Sequence, residues 1–195
     1  MRVLAGGLGL GIILRALLDE PAIGFVQVVE LFPDLVQWNR LHLDFLHGGA
    51  LADPRVAVEA GDLLAFLARE PCARSAFADR GPAASSTLAD RGPAAFDLIL
   101  LDIDNGPTML ALPANEGLYA PEGLAQLRAW LAPRGVAVFW ATESAPDFER
   151  ALDAQAAAQW WRETIGWLPA RGGRELADVL YFLTNGERFP ASCEQ

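Results

Sequence analysis

Four carboxylates stand just after apolar runs, and four glycines crowd the turn after the first such run. Glu30 closes FVQVVE, Asp62 follows VAVEAG, and Asp102 and Asp104 follow FDLILL. Gly6, Gly7, Gly9 and Gly11 all lie within MRVLAGGLGLG. Glycines let a chain turn tightly and let a ligand reach the backbone where a Cβ would block it. A helix starting just beyond them points its N–H groups and positive dipole end at that ligand. A fixed carboxylate accepts O–H donors from a diol, or binds an amine and takes its proton if its own pKa is raised. Asp102 and Asp104 are two apart, so their side chains share a face if the strand continues through them, and the pair could hold an amine. The run Asp102-Ile103-Asp104-Asn105-Gly106-Pro107 is also what a plain turn looks like. Asp62 could accept from an adenine amino group or simply cap the helix after it.

These residues converge only if strands deliver them to one edge of a sheet. Arg2–Ala5 reads as a buried strand, and Ile12–Asp19 as a helix with Leu14, Leu17 and Leu18 on one face. Pro21 and Gly24 mark the turn out of it, and Phe25–Glu30 is a β-branched second strand. Glu30 comes 19 residues after Gly11. In a βαβ unit an acid at about that spacing bonds ribose hydroxyls. Pro33–Leu43 reads as a helix with Leu35, Val36 and Trp38 inward, Val56–Glu59 as a third strand, and Leu63–Arg69 as a helix. Phe96–Ile103 is the strongest strand, apolar enough to be buried on both faces. A helix over Pro121–Leu131, a turn at Ala132–Gly135, a strand over Val136–Ala141 and a helix over Pro146–Gln155 follow. Trp160–Leu168 and Val179–Leu183 then pair antiparallel around Gly172-Gly173, their aromatics read as packing. Between the third and fourth strands, FADRGPAA (Phe77–Ala84) recurs as LADRGPAA (Leu88–Ala95). Residues 71–95 therefore read as a loop enlarged by tandem duplication of DRGPAA, inserted into a single domain over 1–195.

The chain has 195 residues and a net charge of −10, and every cation is arginine. The absence of lysine rules out Schiff-base chemistry. The acidic balance argues against a nucleic-acid binder or an anionic-membrane binder. Cys72 and Cys193 lie too far apart for a metal or redox motif, so no metal is expected. Arg15 and the glycines spoil the N-terminus as a secretory signal, and no apolar run reaches the ~20 residues of a membrane span. A cytoplasmic protein is the expectation.

With GxGxG at Gly7, Gly9 and Gly11, and Ile12 where a dinucleotide fingerprint has its third glycine, the chain resembles the S-adenosylmethionine-dependent methyltransferase fold. Within it, VLAGGLGLG, VVELFPDLVQWNR, DPRVAVEAGDLLAFL, FDLILLDIDNGP and LYAPEGLAQLRAWLAPRGVAVFW resemble the catalytic domain of spermidine synthase-like proteins, over roughly Arg2–Glu143. The resemblance implies an α/β fold, with a Rossmann-like, mostly parallel seven-stranded sheet, helices on both faces and a C-terminal antiparallel hairpin. It implies S-adenosylmethionine or its decarboxylated form as cofactor. Gly7, Gly9 and Gly11 would hold the methionine part, with Gly6 in the same cofactor-binding wall; Glu30 would bind the ribose and Asp62 the adenine. Asp102, with Asp104, would bind and deprotonate an attacking amine. An amine substrate and a homodimer are the partners it allows. The chain departs from that family in an uncharged Leu8-Gly9-Leu10, in Phe32 where an acid is usual, and in a compressed loop after Asp102. It also begins at the first strand, where the family places a β-rich domain. The readings left open are methyl transfer, aminopropyl transfer, a nucleoside-binding protein that has lost its chemistry, and an NAD-dependent oxidoreductase.

Overall fold

The computed structural model describes residues 1–69, 95–156, 158–167 and 176–186. Cys72, Cys193, Gly172-Gly173, the tail from Pro190 and all but the last residue of the DRGPAA duplication lie outside them. Seven strands form one sheet: β1 (Arg2–Gly6), β2 (Phe25–Glu30), β3 (Val56–Ala60), β4 (Phe96–Leu101), β5 (Leu131–Ala141), β6 (Gln159–Trp167) and β7 (Leu176–Thr184). Their order is β3-β2-β1-β4-β5-β7-β6. The first five run parallel, and β7 pairs antiparallel with both β5 and β6. This is the Rossmann-like methyltransferase fold, with its hairpin at one end. Chain order reverses at β1, which has β2 on one side and β4 on the other. Open α/β sheets bind ligands at such a switch point, beyond the carboxyl ends of the strands.

Alternation along β1 sends Leu4 to one face and Val3 and Ala5 to the other, and each face has its own core. Val3, Ala5, Val26 and Val28 pack under helix α1 (Ile12–Asp19), through Leu14, Leu17 and Leu18, and under α2 (Pro33–Leu41) through Val36. A short α3 (Asp44–His47) follows α2. The opposite face is covered by α4 (Leu63–Leu67), α5 (Glu116–Tyr119), α6 (Pro121–Ala129) and α7 (Pro146–Asp153). Trp130 there stacks on Phe66 and Phe96, with its indole N–H donated to the Leu67 carbonyl at 2.9 Å. Tyr119, Phe139, Phe148 and Tyr181 interlock beside it at ring spacings of 5.0–6.2 Å. Among the described residues no helix is long and apolar enough to cross a membrane.

Three local expectations change. Trp38 lies outward at 56% exposure, and Asn39 takes the inner position of α2, because its amide bonds the turn after β1. β4 stops at Leu101, so Asp102 and Asp104 are not alternate residues of one strand. Leu131 opens β5 instead of closing the helix before it. Register then jumps from Phe96–Leu131 to Leu98–Val136, so Ala132–Gly135 is a bulge within the strand.

Candidate functional site

The turn after β1 is tied to the tip of β2 by a buried carboxylate. Glu30 is 5% exposed. Its Oε2 accepts from the Leu8 N–H at 2.8 Å, and its Oε1 from the Phe32 N–H at 2.9 Å. A carboxylate offers about four lone-pair positions, so each oxygen retains capacity for a further donor. Gly7, Gly9 and Gly11 all have positive φ (89°, 52° and 75°), which a side chain would strain. A Cβ on Gly9 would project into open space, whereas one on Gly7 would stand 2.8 Å from the Asp102 carbonyl.

A support under the turn was not foreseen from sequence. Asn39, fully buried, donates from Nδ2 to the Gly9 and Leu35 carbonyls, both at 2.9 Å. His47 is 1% exposed, and its Nδ1 accepts from the Ala50 N–H at 3.2 Å. That leaves the proton on Nε2, which faces the Asn39 carbonyl at 3.3 Å. The one sequence signal was a polar residue three positions after Val36, on the inner stripe of α2. Gly11 packs on this pair, and Gly6 belongs to β1, where a Cβ would meet Leu63 at 2.7 Å.

The aspartates take different roles. Asp62 caps α4, its Oδ1 accepting from the Ala65 N–H at 2.8 Å, and it also lines the cavity beside Glu30. Asp102 follows β4, with its N–H donated to the Gly6 carbonyl at 3.3 Å. Its side chain reaches solvent at the cavity mouth, yet enough protein surrounds it that burial raises its pKa from the ordinary aspartate value. Asp104 is buried and committed. Its Oδ1 accepts from the Ala111 N–H and the Asn115 amide, and its Oδ2 from the Tyr119 hydroxyl at 3.0 Å. Burial, and next the Asp104 charge, push the Tyr119 pKa upward. The two aspartates therefore do not form the pair expected of alternate strand positions. Asp102 borders the cavity, and Asp104 anchors the loop that walls it.

Two cavities flank the glycine turn. One, of about 210 Å³, is lined by Gly7, Gly9, Glu30, Asp62, Asp102 and Asn115 among others. The second, of about 240 Å³, shares Gly7, Gly9 and Asp102 and adds Gly6, Ile13 and Leu100. Gly11 lines neither. Leu31, Phe32, Leu112 and Leu118 give the first an apolar flank suited to a flat ring. No group of three or more His, Cys, Asp or Glu able to hold a metal occurs among the described residues.

No protein-family profile matches the chain, and no curated protein matches it in sequence. Solved structures do match in fold. Human methyltransferase-like protein 13, in complex with SAH, aligns at TM-score 0.60 and 17% identity, over 98% of this chain and 73% of that one. Spermidine synthase from Thermotoga maritima aligns at 0.60 and 16%, over 95% of this chain. A spermidine synthase in complex with the transition-state analogue AdoDATO gives the same figures. This chain spans 53% of either synthase, about half its length. At such identities the likeness establishes the fold, and activity must be argued from the site.

Proposed function

We propose that the chain binds a sulfonium nucleoside, S-adenosylmethionine or its decarboxylated form, and transfers an alkyl group from it to an acceptor. The observation that carries this reading is Glu30, a buried carboxylate that fixes the glycine turn and still has lone pairs beside a cavity at the switch point. The residues present fit such a molecule. Gly7 and Gly9 leave backbone uncovered for it, Glu30 accepts from its two ribose hydroxyls, and Asp62 takes its amino group. Bound there, the nucleoside would supply a carbon attached to positively charged sulfur, open to displacement. Asp102 would hold the acceptor against that carbon and take up the acceptor's proton. Its raised pKa makes it a better base than an ordinary surface carboxylate. Solved folds of this kind in complex with SAH and with AdoDATO support the reading.

Calorimetry with S-adenosylmethionine, its decarboxylated form, methylthioadenosine and NAD tests it. Sulfonium nucleosides and methylthioadenosine are expected to bind and NAD is not; silence toward every adenosyl compound sinks the proposal. Glu30→Ala removes two acceptors from the ribose and frees the turn, so nucleoside affinity should fall about 100-fold, some 3 kcal/mol. Binding unchanged in that variant would remove Glu30 from the site.

Asp102→Asn separates chemistry from folding. Burial disfavours the charged carboxylate, so the folded state keeps the Asp102 proton to higher pH than the unfolded chain does. Stability from this group is therefore lost as pH rises through the carboxylate range. The neutral amide avoids that loss. The variant should melt no lower than the parent at pH 7, bind nucleoside normally and lose transfer, while the parent's rate rises with pH as Asp102 ionises. A melting point several degrees lower would show that the carboxylate is structural.

A second reading, a nucleoside-binding protein without turnover, is favoured by one observation. Asp104, which would complete an acidic amine site, is spent on holding its own loop. Nucleoside binding together with failure of every acceptor class would decide for it.

A further inference from the structure

One face of the sheet beyond β1 has an apolar groove that runs into the site. Side chains of β5 and β7 alternate. Phe139, Ala141, Tyr181 and Leu183 turn toward α5–α7 and have no exposure. Val138, Trp140, Leu180 and Phe182 turn the other way and are only half-buried. Trp140 pairs with Leu180, and Val138 with Phe182, so the four share one patch. Phe182 is stacked on Trp161, and the other three, continued by Leu100 of β4 and Ile13 of α1, border a groove of about 430 Å³. Its inner end is Asp102. Phe139 is the register partner of Leu101, so Trp140 stands one residue along, beside the position of Asp102.

We infer that this groove is the acceptor site, and that its occupant is a primary monoamine with a flat or aliphatic apolar body. The inference rests on the transferase reading above. Continuity argues for an acceptor, because Asp102, Ile13 and Leu100 border both this groove and the cavity along the glycine turn. Charge argues for one ammonium. Asp102 is the only charged group among the described residues lining the groove. A carboxylate at the end of an apolar slot pairs with one cation, and a second ammonium along Val138 and Leu180 would be desolvated without a partner. Trp140 offers its face to the body of the molecule or to the cation itself. Two further carboxylates stand across this part of the sheet: Asp178 of β7, two residues from Leu180, and Glu163 of β6, the partner of Leu180. Glu163 is exposed, and its Oε1 accepts from the Trp161 indole N–H at 3.2 Å. Three strand spacings, about 14 Å, separate the Glu163 backbone from that of Asp102. A polyamine bridging Asp102 to one of these carboxylates is therefore the direct competitor.

The test titrates tryptamine, 3-methylindole, putrescine and spermidine into the full chain by calorimetry, with and without S-adenosylhomocysteine. Tryptamine should bind at least 10-fold more tightly than either polyamine and than uncharged 3-methylindole. Trp140→Leu, or Leu180→Ala, both at residues that line the groove and neither cavity beside the glycine turn, should weaken tryptamine about 10-fold and leave S-adenosylhomocysteine within twofold. Spermidine binding ahead of tryptamine overturns the inference. So does tryptamine affinity indifferent to both variants, and so does a dimer whose formation blocks tryptamine, because a second copy would then be the occupant. Tryptamine binding that depends on Trp140, without any nucleoside binding, keeps the groove as an amine site and removes the transferase reading instead.

Discussion

Gly11→Ala should lower the melting temperature by about 4–20 °C, while Gly9→Ala two positions earlier lowers it by about 2–8 °C. Both glycines have positive φ, so a Cβ at either costs roughly 1–2 kcal/mol of backbone strain. They differ in what the Cβ meets. At Gly9 nothing lies within 4 Å. At Gly11 the new atom would stand 2.6 Å from His47 Cδ2 and 3.1 Å from Asn39 Oδ1, on two buried side chains held in place through the His47 ring nitrogens and the Asn39 Nδ2. Forcing a methyl into packing of that kind adds about 1–3 kcal/mol. For a chain of this length each kcal/mol moves the midpoint by roughly 2–4 °C. Thermal unfolding followed by circular dichroism reads the difference. A double-mutant cycle with His47→Ala locates its cause, because removing the ring should relieve the clash and leave the strain, with a coupling of about 1 kcal/mol or more. Equal melting of Gly9→Ala and Gly11→Ala would show that the ring can move aside. Nucleoside binding should rank the two in the opposite sense. The Gly9 Cβ points into the space a ligand would use, so that variant should keep its fold and lose affinity.

The contrast between these glycines marks what the amino-acid sequence could and could not show. Strand-forming runs and their order were legible, because a buried parallel strand must be apolar on both faces and FDLILL or VAVFWA is little else. The glycine turn was legible as a turn, as was Glu30 as a carboxylate at a strand tip. The spacing did not reveal which glycine faces a ligand and which faces protein. That depends on Asn39 and His47, 28 and 36 positions further on, folding back beneath the turn. Trp38 was misjudged for the same reason. By hydrophobicity it belongs inside, but the inner place on α2 goes to the residue that satisfies the Gly9 carbonyl. Leu131 and the bulge after it escaped notice because Ala-Pro-Arg-Gly carries every local mark of a turn, and only pairing with Phe96 keeps it in the strand.

Among the described residues Asp104→Ala should be the most damaging carboxylate substitution, lowering stability by about 3–5 kcal/mol and the melting temperature by roughly 10 °C. Asp104 sits at the start of the loop whose far side, through Ala111, Leu112, Asn115 and Leu118, walls the cavity beside Glu30. Three donors converge on it from that segment and from α5: the Ala111 N–H, the Asn115 amide and the Tyr119 hydroxyl. Removing the carboxylate strands them together, one being the buried hydroxyl of a core aromatic ring packed on Phe139 and Phe148. Each buried polar group left without a partner costs roughly 1–3 kcal/mol. Tyr119→Phe keeps the ring and removes a single donor, so it should cost only about 1–2 kcal/mol. Nucleoside affinity should fall with Asp104→Ala, because the loop loses its tether, and fall less with Tyr119→Phe. Asp102→Asn, two residues away, should melt at or above the parent. That divergence between neighbouring aspartates is what separates a carboxylate that holds the cavity wall from one free to exchange a proton across it. An Asp104→Ala variant that melted normally and lost only turnover would reverse the two assignments. The reactive acid would then be the one facing Tyr119, and the phenol would become its proton partner.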